Sequence, residues 1–260
     1  MKAVSEIGPF ALIGDYVMRS LLLVFSFVLS LFTAQVSAAA DAAKIDMAKL
    51  KKVLASDDVS ALDAFISAGL DVNIRDEYGD TLLLYALNNN QNLVMARQLV
   101  IAGADLNAPS KTTGETPLIV ATSMASNLQQ QVNALYKNKE ALVTDTTLQS
   151  AVLAQMNRAL EIAKMLIEAG ADVNQETPYG TPLMDAAKNE WNNSIIDLLL
   201  ENGAKVNQTD RLGRTALFYA SAFDCNKIIS RLLSAGGDIQ MKDIDGKSYM
   251  EAKPKDFVVE

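Results

Sequence analysis

The chain has 260 residues, half of them apolar, with a formal net charge of -8, one Cys and no His. The missing His removes the commonest general base and metal ligand, which excludes Ser-His-Asp hydrolysis, Cys-His proteolysis and His-borne zinc sites. The acidic balance argues against a nucleic-acid partner, which needs a basic surface to neutralise phosphates, and a lone Cys cannot close an intrachain disulfide.

The chain opens on an export pattern. Residues Leu21 to Phe32 form an uncharged apolar run, Arg19 precedes it, and Val36-Ser37-Ala38 places small residues where a signal peptidase reads. The run is shorter than the ~20 residues that span a bilayer. Residues 1–38 are therefore expected to be a signal peptide cleaved after Ala38, leaving a periplasmic or secreted protein with no membrane association, and 39–44 a linker. Uncleaved, the segment would be a membrane anchor. Glu6 and Asp15 make Met1 to Val17 a long, mixed-charge start, whereas Met18-Arg19-Ser20 would be an ordinary one, so the true start is either Met1 or Met18. Export with one Cys fits a bacterial periplasm better than a disulfide-rich scaffold. Cys225 sits between Asp224 and Asn226 and reads as a partly buried small residue, with only Lys227 nearby to lower its pKa.

From residue 45 the chain repeats itself. Gly69, Gly103, Gly170, Gly203 and Gly236 each close an apolar helical segment, at spacings of 34, 67, 33 and 33. Gly79, Gly114, Gly180, Gly213 and Gly246 form a second ladder with spacings of 35, 66, 33 and 33. The text agrees in register: Ala68-Gly69-Leu70-Asp71-Val72-Asn73 returns at Ala102, Ala169, Asn202 and Ala235. A helix start follows each time, most cleanly at Thr116-Pro117-Leu118-Ile119-Val120-Ala121, with relatives at Thr81, Thr181 and Thr215. Thr at N-cap accepts a backbone N–H and Pro at N1 forfeits no hydrogen bond. The first glycine of each unit supplies a left-handed helix end and the second a tight turn at a loop tip.

This pattern resembles the ankyrin repeat, whose consensus reads Thr-Pro-Leu-His-x-Ala at the helix start. The resemblance covers about residues 45–253 and implies an all-α solenoid of helix pairs with β-turn loop fingers. The consensus His is replaced by Leu84, Ile119, Met184 and Phe218, which trades the polar ties that His makes between loops for apolar packing. Thr181 follows its glycine directly, so that loop is one residue shorter and the turn between its helices one longer. At the edges, Lys44 to Ala68 is expected to form an opening helix pair with its turn at Asp57-Asp58 and Leu62, Phe65 and Ile66 inward. Lys247 to Ala252 begins a closing helix that Pro254 stops, leaving 254–260 as a tail.

One repeat is too long. Thr to closing Gly is normally 22 residues, as from Thr81 to Gly103, but Thr116 to Gly170 takes 54. Helical spacing persists through Leu128, Val132 and Leu135, and again through Leu148, Val152, Met156 and Leu160, with Thr144 to Thr147 between and a capping box possible at Thr146 and Gln149. No glycine ladder marks the excess as a degenerate repeat, which favours an elongated helical hairpin over about 127–157. Its role is either a partner-binding arm or a tolerated extension.

An ankyrin stack presents its loop tips and inner helices as a concave surface. Loop tips here offer Arg75, Tyr78, Lys111, Tyr179, Arg211, Arg214 and Lys242. The groove offers Tyr85, Asn88, Asn89, Val120, Asp185, Lys188, Asn189, Tyr219 and Phe223, and Trp191 lies in the lengthened turn. Tyr, Trp and Arg anchor interfaces most often, so Tyr85, Asn89, Tyr219, Phe223, Trp191, Arg75, Tyr78, Tyr179, Arg211 and Arg214 are the candidate protein contacts. Each could equally serve packing between repeats. The carboxylates Asp57-Asp58, Asp76-Glu77 and Asp243 with Asp245 fall at turns, where Asp solvates and caps. No phosphate loop, Cys pair or metal-spaced carboxylate loop occurs, so neither catalysis nor a cofactor is expected. The expectation is a monomeric, non-enzymatic protein-binding solenoid of the cell envelope. One alternative is an immunity protein neutralising an envelope toxin, with acidic charge steering it to a basic target. The other is a carboxylate enzyme in the concave groove.

Overall fold

The computed structural model describes residues 47–56, 58–89, 93–124, 146–178 and 180–252. The expected signal peptide, linker, rising arm of the insertion, Asp57, Tyr179 and the C-terminal tail lie outside the described residues. Among the described residues ten helices follow one another in pairs: α1 (Met47–Ala55) with α2 (Val59–Ser67), α3 (Leu82–Asn89) with α4 (Leu93–Ile101), and α5, described over 117–124, with α6 (Thr146–Glu168). Next come α7 (Pro182–Ala186) with α8 (Asn193–Glu201), and α9 (Ala216–Ala222) with α10 (Asn226–Ser234). Inner helices pack on inner helices (α1 on α3, α7 on α9) and outer on outer (α2 on α4, α4 on α6, α6 on α8, α8 on α10).

Apart from α6 the helices are too short to persist alone in water, where ~12–15 residues is marginal, so packing holds them. One continuous apolar core runs from Leu50 through Leu84, Leu99, Leu166, Ile196 and Phe218 to Tyr249. Ala86, Ala121, Ala186 and Ala220 close the helix-start motif and are fully buried, which allows neighbouring backbones to approach. The replacements for the consensus His are buried as well: Leu84 at 0%, Ile119 at 3%, Met184 at 1% and Phe218 at 2% exposure. Met184 keeps one polar tie, since its Sδ accepts the Thr181 N–H at 3.4 Å.

Both glycine ladders are left-handed as expected, with φ between +70° and +106°. At Gly213 a Cβ would also meet the next finger's backbone, 3.3 Å from Asp243 Cα. Thr81, Thr116 and Thr181 cap their helices, accepting from the backbone N–H groups of Leu84, Ile119 and Met184 at 3.3–3.4 Å. Thr215 does not, contrary to expectation. Its Oγ1 is buried without a partner, because the Phe218 N–H bonds the Thr215 carbonyl at 3.0 Å in a tightened first turn.

The fingers are two-residue ribbons, seen as isolated bridges Arg75 to Thr81, Thr177 to Gly180 and Lys242 to Ser248. The residue missing before Thr181 reappears in a 3-10 turn, Glu190–Asn192, where Asn192 donates to the Thr122 and Ala186 carbonyls at 3.2 and 3.1 Å. The expected closing helix is a single 3-10 turn, Tyr249–Glu251, capped by Glu251 Oε2, which accepts from the Ser248 N–H and hydroxyl at 2.8 and 2.9 Å. Helix α6 has 23 residues against nine in α2, α4, α8 and α10. It begins at Thr146, so the residue expected at its cap is already helical.

Asn73, Asn107, Asn174 and Asn207 each tie one repeat to the next. Asn73 Oδ1 accepts from the Asp105 N–H at 2.7 Å and its Nδ2 donates to the Gly103 carbonyl at 3.2 Å. Asn107 Oδ1 accepts from Asp172 N–H at 2.9 Å. Asn174 binds Lys205 N–H and the Gly203 carbonyl at 2.8 and 3.0 Å, and Asn207 binds Asp238 N–H and the Gly236 carbonyl at the same distances. Asn73, Asn174 and Asn207 each read the carbonyl of the following left-handed glycine, so the closing turn of one repeat is stapled to the next.

Candidate concave binding face

The fingers hold their shape through their own acids. Asp76, Asp210 and Asp243 each use Oδ1 to accept two backbone N–H groups across the tip, at 2.8–3.0 Å. Of the carboxylates expected to cap turns, Asp58, Asp76 and Asp243 are occupied by backbone N–H groups, whereas Glu77 pairs with Lys51. Among the described residues no group of three or more Cys, Asp or Glu could hold a metal, and no helix is long and apolar enough to cross a membrane.

Several candidate contacts are committed to the scaffold. The Arg75 guanidinium donates to the Gly79 carbonyl at 2.6 Å and to Pro109 in the next finger at 2.8 Å. Arg214 Nε donates to Asp210 Oδ2 at 2.8 Å with only 11% of its side chain exposed. Tyr219 is buried at 4% exposure, its hydroxyl donates to the same oxygen at 2.8 Å, and its ring lies 5.2 Å from the Arg214 guanidinium and 5.1 Å from Lys188 Nζ. Burial and the Asp210 charge push its phenol well above the usual range.

Others face outward. Tyr78 is 60% exposed and Phe223, at the end of α9, 42%. Arg211 and Asn89 are exposed, with Asn89 Nδ2 donating to the Tyr85 carbonyl at 3.0 Å. Tyr85 and Trp191 are half-buried, the latter in the 3-10 turn. Cys225 is buried, and burial together with the charges of Glu190 and Asp224 pushes its thiol up to about 11, which leaves it unreactive.

Two features of the face join residues whose pairing has no signature in the repeat pattern. Lys51 on α1 reaches into the first finger, 2.9 Å from Asp76 and 3.1 Å from Glu77, with Nζ 5.2 Å from the Tyr85 ring centre and 5.5 Å from that of Tyr78. Burial raises the Asp76 carboxyl, but the Lys51 bond and two backbone N–H groups outweigh it and hold Asp76 below its usual range. The opening helix pair shares only its closing Ala68-Gly69 with the text quoted for the repeats, so nothing in that register aimed Lys51 at the groove.

The second feature is an open pocket of about 380 Å³ between the second finger and the inner helices, lined by Thr112, Thr113, Glu115, Ile119, Asp185 and Lys188. Asp185 Oδ2 accepts from the Thr122 hydroxyl at 2.7 Å and its Oδ1 from Lys188 Nζ at 3.1 Å. Among the described residues Glu115 has no ion-pair partner. Burial raises its carboxyl above the ordinary value, Asp185 and Asp80 add to this, and the Thr113 hydroxyl and Lys188 only partly offset it. Glu115 occupies the slot before the helix-start Thr that Asp80 fills in the preceding finger, so the repeat register could have singled it out.

A stability consequence follows. The folded state holds the Glu115 proton more tightly than the unfolded chain. Stability is therefore intact below the ordinary Glu value and declines as pH rises through the elevated one. Glu115→Gln is expected to raise the thermal midpoint at neutral pH, with the difference vanishing below about pH 4. A variant less stable than the parent at pH 7 by calorimetry would contradict this.

The ankyrin-repeat family, described as "Ankyrin repeats (3 copies)", matches residues 51–147 and 150–243. An ankyrin repeat domain from Acinetobacter baumannii AYE, solved by crystallography, superimposes with a TM-score of 0.61 at 26% identity, covering 80% of this chain and 90% of that one. An ankyrin repeat and KH domain-containing protein of Caenorhabditis briggsae is 29% identical over 136 residues, 52% of this chain, and the match spans 5% of that relative's length.

Proposed function

The chain belongs to the ankyrin-repeat family, whose members generally mediate protein–protein interaction, and from that premise we propose that it binds a protein partner in the cell envelope through its concave face, without chemistry. The observation that carries this is the contrast between side chains tied into the scaffold and large side chains exposed to solvent. Arg75, Arg214 and Tyr219 are spent on internal ties, while Tyr78 and Phe223 stand exposed, and Glu115 half-buried, on a surface that the core and Asn staples hold in place. Preorganisation of this kind lowers the ordering cost of association. The net charge of -8 favours a basic partner, since complementary fields speed encounter.

Export supports the envelope setting: the apolar run Leu21 to Phe32 with Val36-Ser37-Ala38 behind it directs the chain out of the cytoplasm. The test is affinity capture from an envelope fraction. The parent protein should retain one partner whose binding weakens with salt, and Tyr78→Ala with Phe223→Ala should weaken retention about tenfold or more. N-terminal sequencing of the exported protein should give Ala39. Retention identical for parent and double variant would remove the concave face from the interaction, and an N-terminus upstream of Ala39 would remove cleavage.

A further inference from the structure

We propose that the pocket between the second finger and the inner helices receives an arginine side chain of the partner. This deepens the protein-binding reading and rests on it. The pocket carries two carboxylates and one ammonium, and that ammonium is already held. Lys188 Nζ is 3.1 Å from Asp185 Oδ1 and 5.1 Å from the Tyr219 ring centre, with a quarter of its side chain exposed. Asp185 is satisfied on both oxygens, by Lys188 and by the Thr122 hydroxyl. Among the described residues Glu115 is left as the half-buried carboxylate with no ion-pair partner, so the pocket's described lining is one positive charge short.

The shape selects among cations. Ile119 supplies an apolar wall for an alkyl stem, as long basic side chains need when their heads are held in a polar site. Thr112 and Thr113 offer hydroxyl oxygens at the rim, and Glu115 can accept two parallel N–H groups, which suits the planar guanidinium fork better than a point-charge ammonium. At about 380 Å³ the pocket lies near the small end of ligand sites, ~300–1,000 Å³, enough for one long side chain with its flanking backbone. A guanidinium would also neutralise the charge that burial disfavours on Glu115, so binding should weaken as pH falls through the elevated carboxyl value.

The experiment is an amide NMR titration of the purified protein with N-acetyl-arginine methylamide, using the isosteric citrulline compound as neutral control and spermidine as a diffusible cation. Saturable shifts confined to Thr113, Glu115, Ile119 and Lys188 are expected with the arginine compound. They should be at least about tenfold weaker with citrulline, and about tenfold weaker in Glu115→Gln. Unshifted signals elsewhere show that the variant is folded. Equal shifts with citrulline, or an unchanged titration in Glu115→Gln, would overturn the assignment. Spermidine binding more tightly than the arginine compound would also overturn it, making this a polyamine site. If capture from the envelope succeeds while Glu115→Gln leaves it unaltered, the protein-binding reading stands and the pocket's role in it falls.

Discussion

Phe218→Ala is expected to destabilise the protein by about 3–5 kcal/mol, the range for truncating a buried Phe. Phe218 is the largest of the fully buried side chains and sits on α9 in the apolar core. Neighbouring helices are fixed on one side by α7 and on the other by the closing 3-10 turn, so the cavity cannot collapse easily. The more telling variant is Phe218→His, which installs the residue that the family consensus has at this place. Consensus changes usually stabilise. Here the imidazole would bring two polar nitrogens into a site that is 2% exposed and that this chain fills with apolar atoms, so a loss of about 2–4 kcal/mol is expected. Urea denaturation of both variants checks it. A Phe218→His protein as stable as the parent would show that the polar ties of the consensus can still form here.

Asn174→Ala should cost about 2 kcal/mol, since it removes two hydrogen bonds worth roughly 1 kcal/mol each and strands their backbone partners. The position matters more than the sum. Asn174 bonds Lys205 N–H and the Gly203 carbonyl, so it joins the repeat that ends in α6 to the repeat of α7 and α8. In a one-dimensional stack stability is a sum of unit and nearest-neighbour terms, so weakening a central junction lowers cooperativity as well as the midpoint. The denaturation curve should broaden, with a reduced slope, whereas Asn202→Ala, whose Nδ2 donates within its own helix end to Leu198, should shift the midpoint without broadening. A sharp transition at an unaltered midpoint in Asn174→Ala would remove the Asn staples from the account.

The fold was legible because its determinants are local and recur. Each glycine had to be left-handed wherever a helix closed or a finger turned, and every described member of both ladders is. What misled were places where the backbone solved the problem by itself. Thr215 reads as a cap by its place in the motif, yet the tightened first turn of α9 had already used the N–H it would have bound. Tyr219, Arg214 and Arg75 read as interface anchors because sequence shows chemical type and not commitment. Arg214 and Tyr219 meet Asp210 only once their own finger is folded back on its helix, and Pro109 reaches Arg75 only when fingers are stacked. Lys51 and the Glu115 pocket were missed for a related reason. Each is a relation between neighbouring units, and a repeat pattern describes one unit at a time.

Helix α6 has a geometric consequence beyond its length. Its C-terminal half is rooted in the core through Ala159, Ile162, Ala163 and Leu166, while Ser150, Leu153 and Arg158 project along the same axis into solvent. An arm built by lengthening a helix is phased to its root in a way that an arm on a loop is not. Adding or removing one residue above Ala159 would turn everything beyond it by about 100° and shift it by ~1.5 Å. The direction in which Leu153 faces is therefore indexed to the stack, and single-residue insertions there act as rotations of a rigid shaft, whereas an insertion of about seven residues brings the arm back to within about 20° of its original heading.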